Sequence, residues 1–150
     1  MATSDEPTDD REVVSRRVFD TPREVVFLAL TDPTHLARWW GPAGFTNTVH
    51  EYDLRPGGAG RHTLHGPDGT DYNNECEFVE VVPPERLVFR HGKPVHHLTM
   101  TITLADLGGR IEMTWRLRFD SFEECDRARA PVTAGNEQNF DRLAAILAEA

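Results

Sequence analysis

Four histidines, His50, His62, His91 and His96, each fall in a stretch rich in Val, Thr, Ile, Phe or Tyr. Imidazole titrates near neutral pH, so these are the side chains here best suited to general acid/base work. No serine or cysteine beside them has a recognisable nucleophile motif. Cys76 falls on a buried phase and reads as a small hydrophobe. A metal site built from the four histidines has no HxH or HExxH spacing behind it, and Cys76 and Cys125 match no zinc spacing. Gly57-Gly58 permits the positive φ of a tight hairpin. It is not a phosphate loop, because no GxxxxGK[ST] follows and no helix starts there. The residues imply no catalytic set, no metal and no cofactor.

The elements that must position these side chains follow from periodicity. Residues 11–19 form a β-branched first strand, stopped by Asp20-Thr21-Pro22. Thr21 or Asp20 caps a short helix with Pro22 at its first position and Val26, Phe27 and Leu30 on its apolar face. Asp32-Pro33 ends it, and Thr34 caps a second short helix through His35, Leu36 and Trp39, which Gly41-Pro42 ends. The pattern then alternates over 45–54, 60–66, 72–82, 86–92, 96–105 and 110–119, with Pro/Gly/Asp turns between, which predicts consecutive antiparallel hairpins. Helical spacing returns over 121–148, with Val132, Asn136, Phe140, Leu143 and Leu147 on one stripe. Pro131 is expected to begin or interrupt the main helix, leaving 121–130 as a separate turn. The result is an α+β domain in which the last helix covers a sheet of about seven strands.

Alternation also gives the inner face. The second strand contributes His50, Tyr52 and Leu54; the next two His62 and Leu64, then Tyr72, Asn74, Cys76 and Phe78. The later strands add Leu87, Phe89 and His91; His96, Leu98, Met100, Ile102 and Leu104; and Ile111, Met113, Trp115, Leu117 and Phe119. The phase is clean in the last two strands and weaker in the second and fourth, where a bulge would flip it. The inner polar groups, His50, His62, Asn74, His91 and His96, with Asn136 facing them from the helix, have two readings. Either backbone and water satisfy them at a wet end of the sheet, or they line a cavity and set the polarity of a ligand. Candidate cavity residues are Trp39, Trp40, His50, Tyr52, His62, Tyr72, Asn74, Phe78, Phe89, His91, His96, Met100, Trp115, Asn136 and Phe140. Trp39-Trp40 plugs one end of the sheet, with one indole near the entrance.

Composition narrows the partners. The sequence of 150 residues carries a net charge of −9; residues 1–10, an acidic tail with few apolar side chains that is expected to be disordered, account for −4, leaving −5 on a single domain at 11–150. A net acidic body argues against nucleic acid. No apolar run approaches the roughly 20 residues of a membrane helix, and the N-terminus lacks the features of a secretory signal, so the expectation is a cytoplasmic protein with reduced cysteines.

Several motifs, in order, resemble the activator-of-Hsp90-ATPase-homologue-like family of the START/Bet v 1-like superfamily. They are Phe19-Asp20-Thr21-Pro22-Arg23-Glu24-Val25-Val26-Phe27, Thr31-Asp32-Pro33 through Trp39-Trp40-Gly41-Pro42, and Asp53-Leu54-Arg55-Pro56-Gly57-Gly58. Gly66-Pro67-Asp68-Gly69, Glu80-Val81-Val82-Pro83-Pro84-Glu85-Arg86-Leu87 and Phe140-Asp141-Arg142-Leu143 complete the set. The resemblance implies a helix-grip fold, a curved antiparallel sheet around a long C-terminal helix. It implies less about function, because the superfamily includes binding, transport, cyclase and co-chaperone roles. The chain departs from similar sequences at Gly135-Asn136, where they carry Gly-Trp, and at Ala59-Gly60, where they carry a bulky residue. Both departures remove volume, which implies a larger or wetter pocket. Three functions follow from the resemblance: a binding protein for a small apolar or amphipathic molecule, an enzyme using a cavity histidine, and an Hsp90-related co-chaperone or stress-response protein. The order of expectation is the order given. A homodimer is compatible with the sequence, and Hsp90 is not an expected partner because the co-chaperone's additional contacting domain has no counterpart here.

Overall fold

The computed structural model describes residues 11–93 and 98–149; the acidic tail and His96 lie outside the described residues. The elements run β1 (Glu12–Phe19), α1 (Arg23–Thr31), α2 (Pro33–Trp39), β2 (Thr46–Tyr52), β3 (Ala59–His65), β4 (Asp71–Val82), β5 (Arg86–Lys93), β6 (Leu98–Asp106), β7 (Ile111–Phe119) and α3 (Phe122–Leu147). Among the described residues seven strands form one antiparallel sheet in the order β1-β7-β6-β5-β4-β3-β2. The chain leaves β1 at one edge, crosses through α1 and α2 to β2 at the other, and returns by successive hairpins until β7 pairs with β1. This is the expected α+β helix-grip arrangement. No helix among the described residues is long and apolar enough to cross a membrane.

The inner phase is regular in β6 and β7. Leu98, Met100, Ile102 and Leu104, and Ile111, Met113, Trp115, Leu117 and Phe119, are all buried. The second and fourth strands both carry register shifts. In β2 Val49 faces His62 and Glu51 faces Arg61, so His50 is the extra residue. In β4 the shifts fall at Glu75/Cys76 and at Phe78/Glu80, and the unpaired Val79 is left exposed.

Three local expectations change. The backbone of Pro22 takes the N-cap position of α1, its carbonyl accepting from the Val25 and Val26 amides, and Arg23 begins the helix. Asp32 both ends α1 and caps α2: its carboxylate accepts from the Thr34 amide at 2.8 Å, with Pro33 at the helix start. Thr34 is therefore inside α2 rather than its cap. The largest change is α3, which runs unbroken through Pro131. Pro131 removes an amide donor and crowds the carbonyl four residues back, a cost of about 3 kcal/mol in a helix interior. Continuity survives because Cys125 and Ala128 before it, and Asn136, Asn139, Phe140, Leu143 and Leu147 after it, are all buried, whereas Pro131 is exposed. Ser121 caps the start, accepting from the Glu124 amide at 3.2 Å.

Charge and packing then fix α3 to one side of the sheet. Arg17 on β1 donates to Glu137 and Asp141 of α3, both at 2.7 Å, and its guanidinium lies 5.4 Å from the Phe140 ring centre. Arg129 Nη1 donates to the Glu12 carbonyl at 2.9 Å. The close backbone contacts of α3 are with β1, β7, α1 and α2. Leu143 is 0% exposed in this contact. Leu143→Ala is expected to cost about 2–5 kcal/mol in urea unfolding; a loss below about 0.5 kcal/mol would contradict this packing.

Candidate functional site

Where α3 stands away from β3, β4 and β5, an elongated cavity of about 450 Å³ remains. Its floor is the inner sheet face: Tyr52 from β2, His62 and Leu64 from β3, Tyr72, Asn74, Cys76 and Phe78 from β4, Phe89 and His91 from β5, Met100 from β6 and Trp115 from β7. Its roof is Pro131, Val132, Gly135, Asn136 and Asn139 of α3, and one end is closed by Leu30, Leu36 and Trp40.

Eleven of the residues singled out in the sequence meet at this wall: Trp40, Tyr52, His62, Tyr72, Asn74, Phe78, Phe89, His91, Met100, Trp115 and Asn136. Three do not. Trp39 is wholly buried between the small helices and the core, its Nε1 donating to the Ala29 carbonyl at 2.9 Å. Phe140 is also wholly buried and meets Trp115 edge-on at 4.7 Å, behind the wall rather than on it. His50 is turned to the outer face by the β2 bulge. There its Nε2 lies 2.8 Å from Thr63 Oγ1, and that hydroxyl donates to Asn73 Oδ1 at 2.8 Å. A hydroxyl has one proton to give, so His50 donates to Thr63. His50 and His62 thus sit on opposite faces of the sheet. Among the described residues no group of three or more His, Cys, Asp or Glu is placed to hold a metal ion.

Wall residues from irregular backbone were missed. Gly41, Pro42 and Phe45 come from the loop between α2 and β2; Phe45, read from alternation as the start of the second strand, lies just before β2, and Gly41 and Pro42 have no periodicity to read. Side chains of α3 hold that loop in place. Asn139 Oδ1 accepts from the Gly41 amide at 2.8 Å, Gln138 Oε1 accepts from the Ala43 amide at 3.0 Å, and Arg142 donates to the Gly41 and Pro42 carbonyls at 2.9 and 3.1 Å. Gly41 has φ +123°, and a Cβ there would come within 3.0 Å of the Leu64 side chain, so this bend requires glycine. Phe45 then packs against Tyr72, with ring centres 6.0 Å apart. Asn139 follows Asn136 by three positions on one helical face, the spacing that would have revealed it.

The polar groups of the wall fall into two kinds. Some are satisfied: His91 Nε2 donates to Asn74 Oδ1 at 2.8 Å, Asn74 Nδ2 donates to the Tyr72 carbonyl at 3.0 Å, Tyr52 donates to the Leu30 carbonyl at 2.8 Å, and Asn136 Nδ2 donates to Ser15 Oγ at 3.2 Å. Burial raises the Tyr52 phenol's pKa and pushes the Cys76 thiol up to about 11, so both stay protonated at neutral pH. Others are not: the buried His62 Nε2 and Trp115 Nε1 have no hydrogen-bond partner among the described residues. Burial, reinforced by the neighbouring imidazoles of His91 and His50, lowers His62 to about 4. Among the described residues none on the wall is Asp, Glu, Lys or Arg.

A scan against protein families matches residues 20–148 to the activator of Hsp90 ATPase homolog 1-like protein family. The chain belongs to that family. Among solved structures it is similar to a protein from Chromobacterium violaceum, 29% identical over 91% of this chain and 96% of that one, with a TM-score of 0.80. A protein from Arthrobacter aurescens is 26% identical over 97% of this chain and 91% of that one, with a TM-score of 0.88. A family protein from Silicibacter pomeroyi, 20% identical over 92% and 98% of the two chains with a TM-score of 0.75, shares the fold. A search of curated proteins returned no match.

The neutral state of His62 has a measurable consequence. Its pKa in the folded chain is lowered from 6.5 to about 4, so in that window the unfolded chain binds a proton that the folded chain does not. Stability therefore falls as pH falls from 6.5 to 4, and His62 accounts for about 3 kcal/mol of the loss. In His62→Leu the loss of urea stability between pH 7 and pH 4 is expected to shrink by about that amount. An unchanged pH slope would show that His62 is protonated in the folded protein.

Proposed function

We propose that this protein binds a small, mainly apolar molecule in the cavity between the sheet and α3. One observation carries the reading: a cavity of about 450 Å³ walled by aromatic and aliphatic side chains, with a few polar groups and no charged one. Ligand sites commonly have volumes of roughly 300–1,000 Å³ with this kind of lining. The departure from similar sequences at Gly135-Asn136, an amide where the resemblance implies an indole, supports a roomy pocket. Gly60 leaves no such space, because a Cβ there would stand 2.9 Å from Cys76 Sγ.

The histidine-enzyme reading has less behind it. The charged states that act on His62 come from two other imidazoles rather than from a carboxylate. A base lowered to about 4 is weak at neutral pH. The partner we propose is thus a small molecule in a cytoplasmic setting, with neither nucleic acid, membrane nor Hsp90 as its principal counterpart.

Gly135 offers a direct test, because it lines the cavity and a Cβ on it meets nothing within 4 Å. Gly135→Ala is expected to raise stability by up to about 1 kcal/mol, the helix-propensity difference. Gly135→Phe places a ring in the cavity, and is expected to weaken binding of the neutral dye Nile red about tenfold or more without lowering the melting temperature. A folded Gly135→Phe variant with unchanged dye affinity would place binding elsewhere.

A further inference from the structure

The cavity's polar inventory goes beyond an apolar pocket, and it specifies the ligand's head. Two wall side chains carry buried nitrogens with no partner among the described residues: His62 Nε2 and Trp115 Nε1. Trp115 is only 1% exposed. An unmet buried donor is costly, and a ligand atom that meets it gains what the folded protein lacks. The two rings flank the same neighbour. Trp40 meets His62 edge-on at 6.5 Å and lies tilted against Trp115 at 5.2 Å between ring centres. Trp40 is half-buried, and all three rings line the same cavity.

Several of the other polar wall groups are already committed. Asn74 bonds His91 and the Tyr72 carbonyl, Tyr52 bonds Leu30, and Asn139 bonds the Gly41 amide. Among the described residues no Lys or Arg lines the space to neutralise an anion, and no Asp or Glu lines it to hold a cation. An ionised head would lose its hydration without a counter-charge, a far larger penalty than one hydrogen bond recovers.

We propose that the ligand is electrically neutral and carries one hydrogen-bonding oxygen, a hydroxyl, phenol or carbonyl, seated against His62 or Trp115, and that the cavity rejects carboxylates of the same skeleton. This rests on the binding reading above. A hydroxyl suits either nitrogen: its oxygen can accept from the Trp115 N–H, or its proton can go to the bare nitrogen of a neutral His62.

Three matched probes decide it: 2-naphthol, naphthalene and 2-naphthoate, titrated at pH 7.5 against protein loaded with Nile red. Naphthol should displace the dye with about tenfold higher affinity than naphthalene, and naphthoate should not displace it over the same range. In His62→Leu, or in Trp115→Phe, which replaces the indole by a phenyl ring and removes the N–H, the advantage of naphthol over naphthalene, both measured in that variant, should shrink. The wild-type comparison needs no variant, and the two variants are independent, so misfolding of one leaves the proposal testable. Naphthoate binding as tightly as naphthol would overturn the neutral-head proposal while leaving the binding reading intact. So would a naphthol advantage that survives both substitutions. Failure of Nile red and all three probes to bind would overturn both.

Discussion

One helix has to cover the apolar face of a seven-stranded sheet, and it is too narrow to do so. Strands spaced about 4.8 Å apart make a sheet roughly 30 Å wide, whereas a helix with its side chains spans about 10–12 Å. Curling the sheet and adding α1 and α2 close one end. The rest depends on where α3 is fixed, and Arg17 with Glu137 and Asp141, Arg129 with the Glu12 carbonyl, and buried Phe140 and Leu143 fix it beside β1 and β7. The wall from β3 to β5 is left facing open space. The cavity is thus a consequence of how the cover is anchored.

Aromatic side chains make that arrangement rigid. Trp115 lies at the centre, with Trp39, Trp40 and Phe140 around it at ring-centre distances of 6.3, 5.2 and 4.7 Å. Trp39 and Phe140 support it from behind, and Trp40 turns the same cluster toward the cavity. The rim is held from α3 as well, through Gln138, Asn139 and Arg142. Helix, rim and wall are thus tied together through these hydrogen bonds.

Electrostatics gives the cavity its character. Charged side chains are plentiful on the outer face and edges, where Glu51 pairs with Arg61 and Arg90 with Asp120. None lines the interior. Burial of His62 beside other imidazoles favours its neutral form, the same effect that keeps Cys76 a thiol and Tyr52 a phenol. The interior is polar in places and uncharged throughout its described wall.

The sequence by itself determined the elements, their antiparallel order and most of the inner face, because strict alternation in β6 and β7 leaves one phase that can be buried. Leu98 to Leu104 and Ile111 to Phe119 were legible for that reason, and so was the α3 stripe through Phe140 and Leu143. Tertiary structure decided what local pattern could not carry. A single bulge at His50 moves that residue to the outer face, and a one-residue insertion leaves no compositional trace. Packing on both sides of Pro131 keeps α3 continuous against the local preference of proline. The rim loop takes its shape from Asn139, 98 residues away from Gly41, and no windowed reading sees such a partner. Whether an inward residue touches empty space, as Trp115 does, or lies behind the wall, as Phe140 does, depends on the distance between two packed layers. Periodicity specifies direction along one element; it contains no information on the gap to the next.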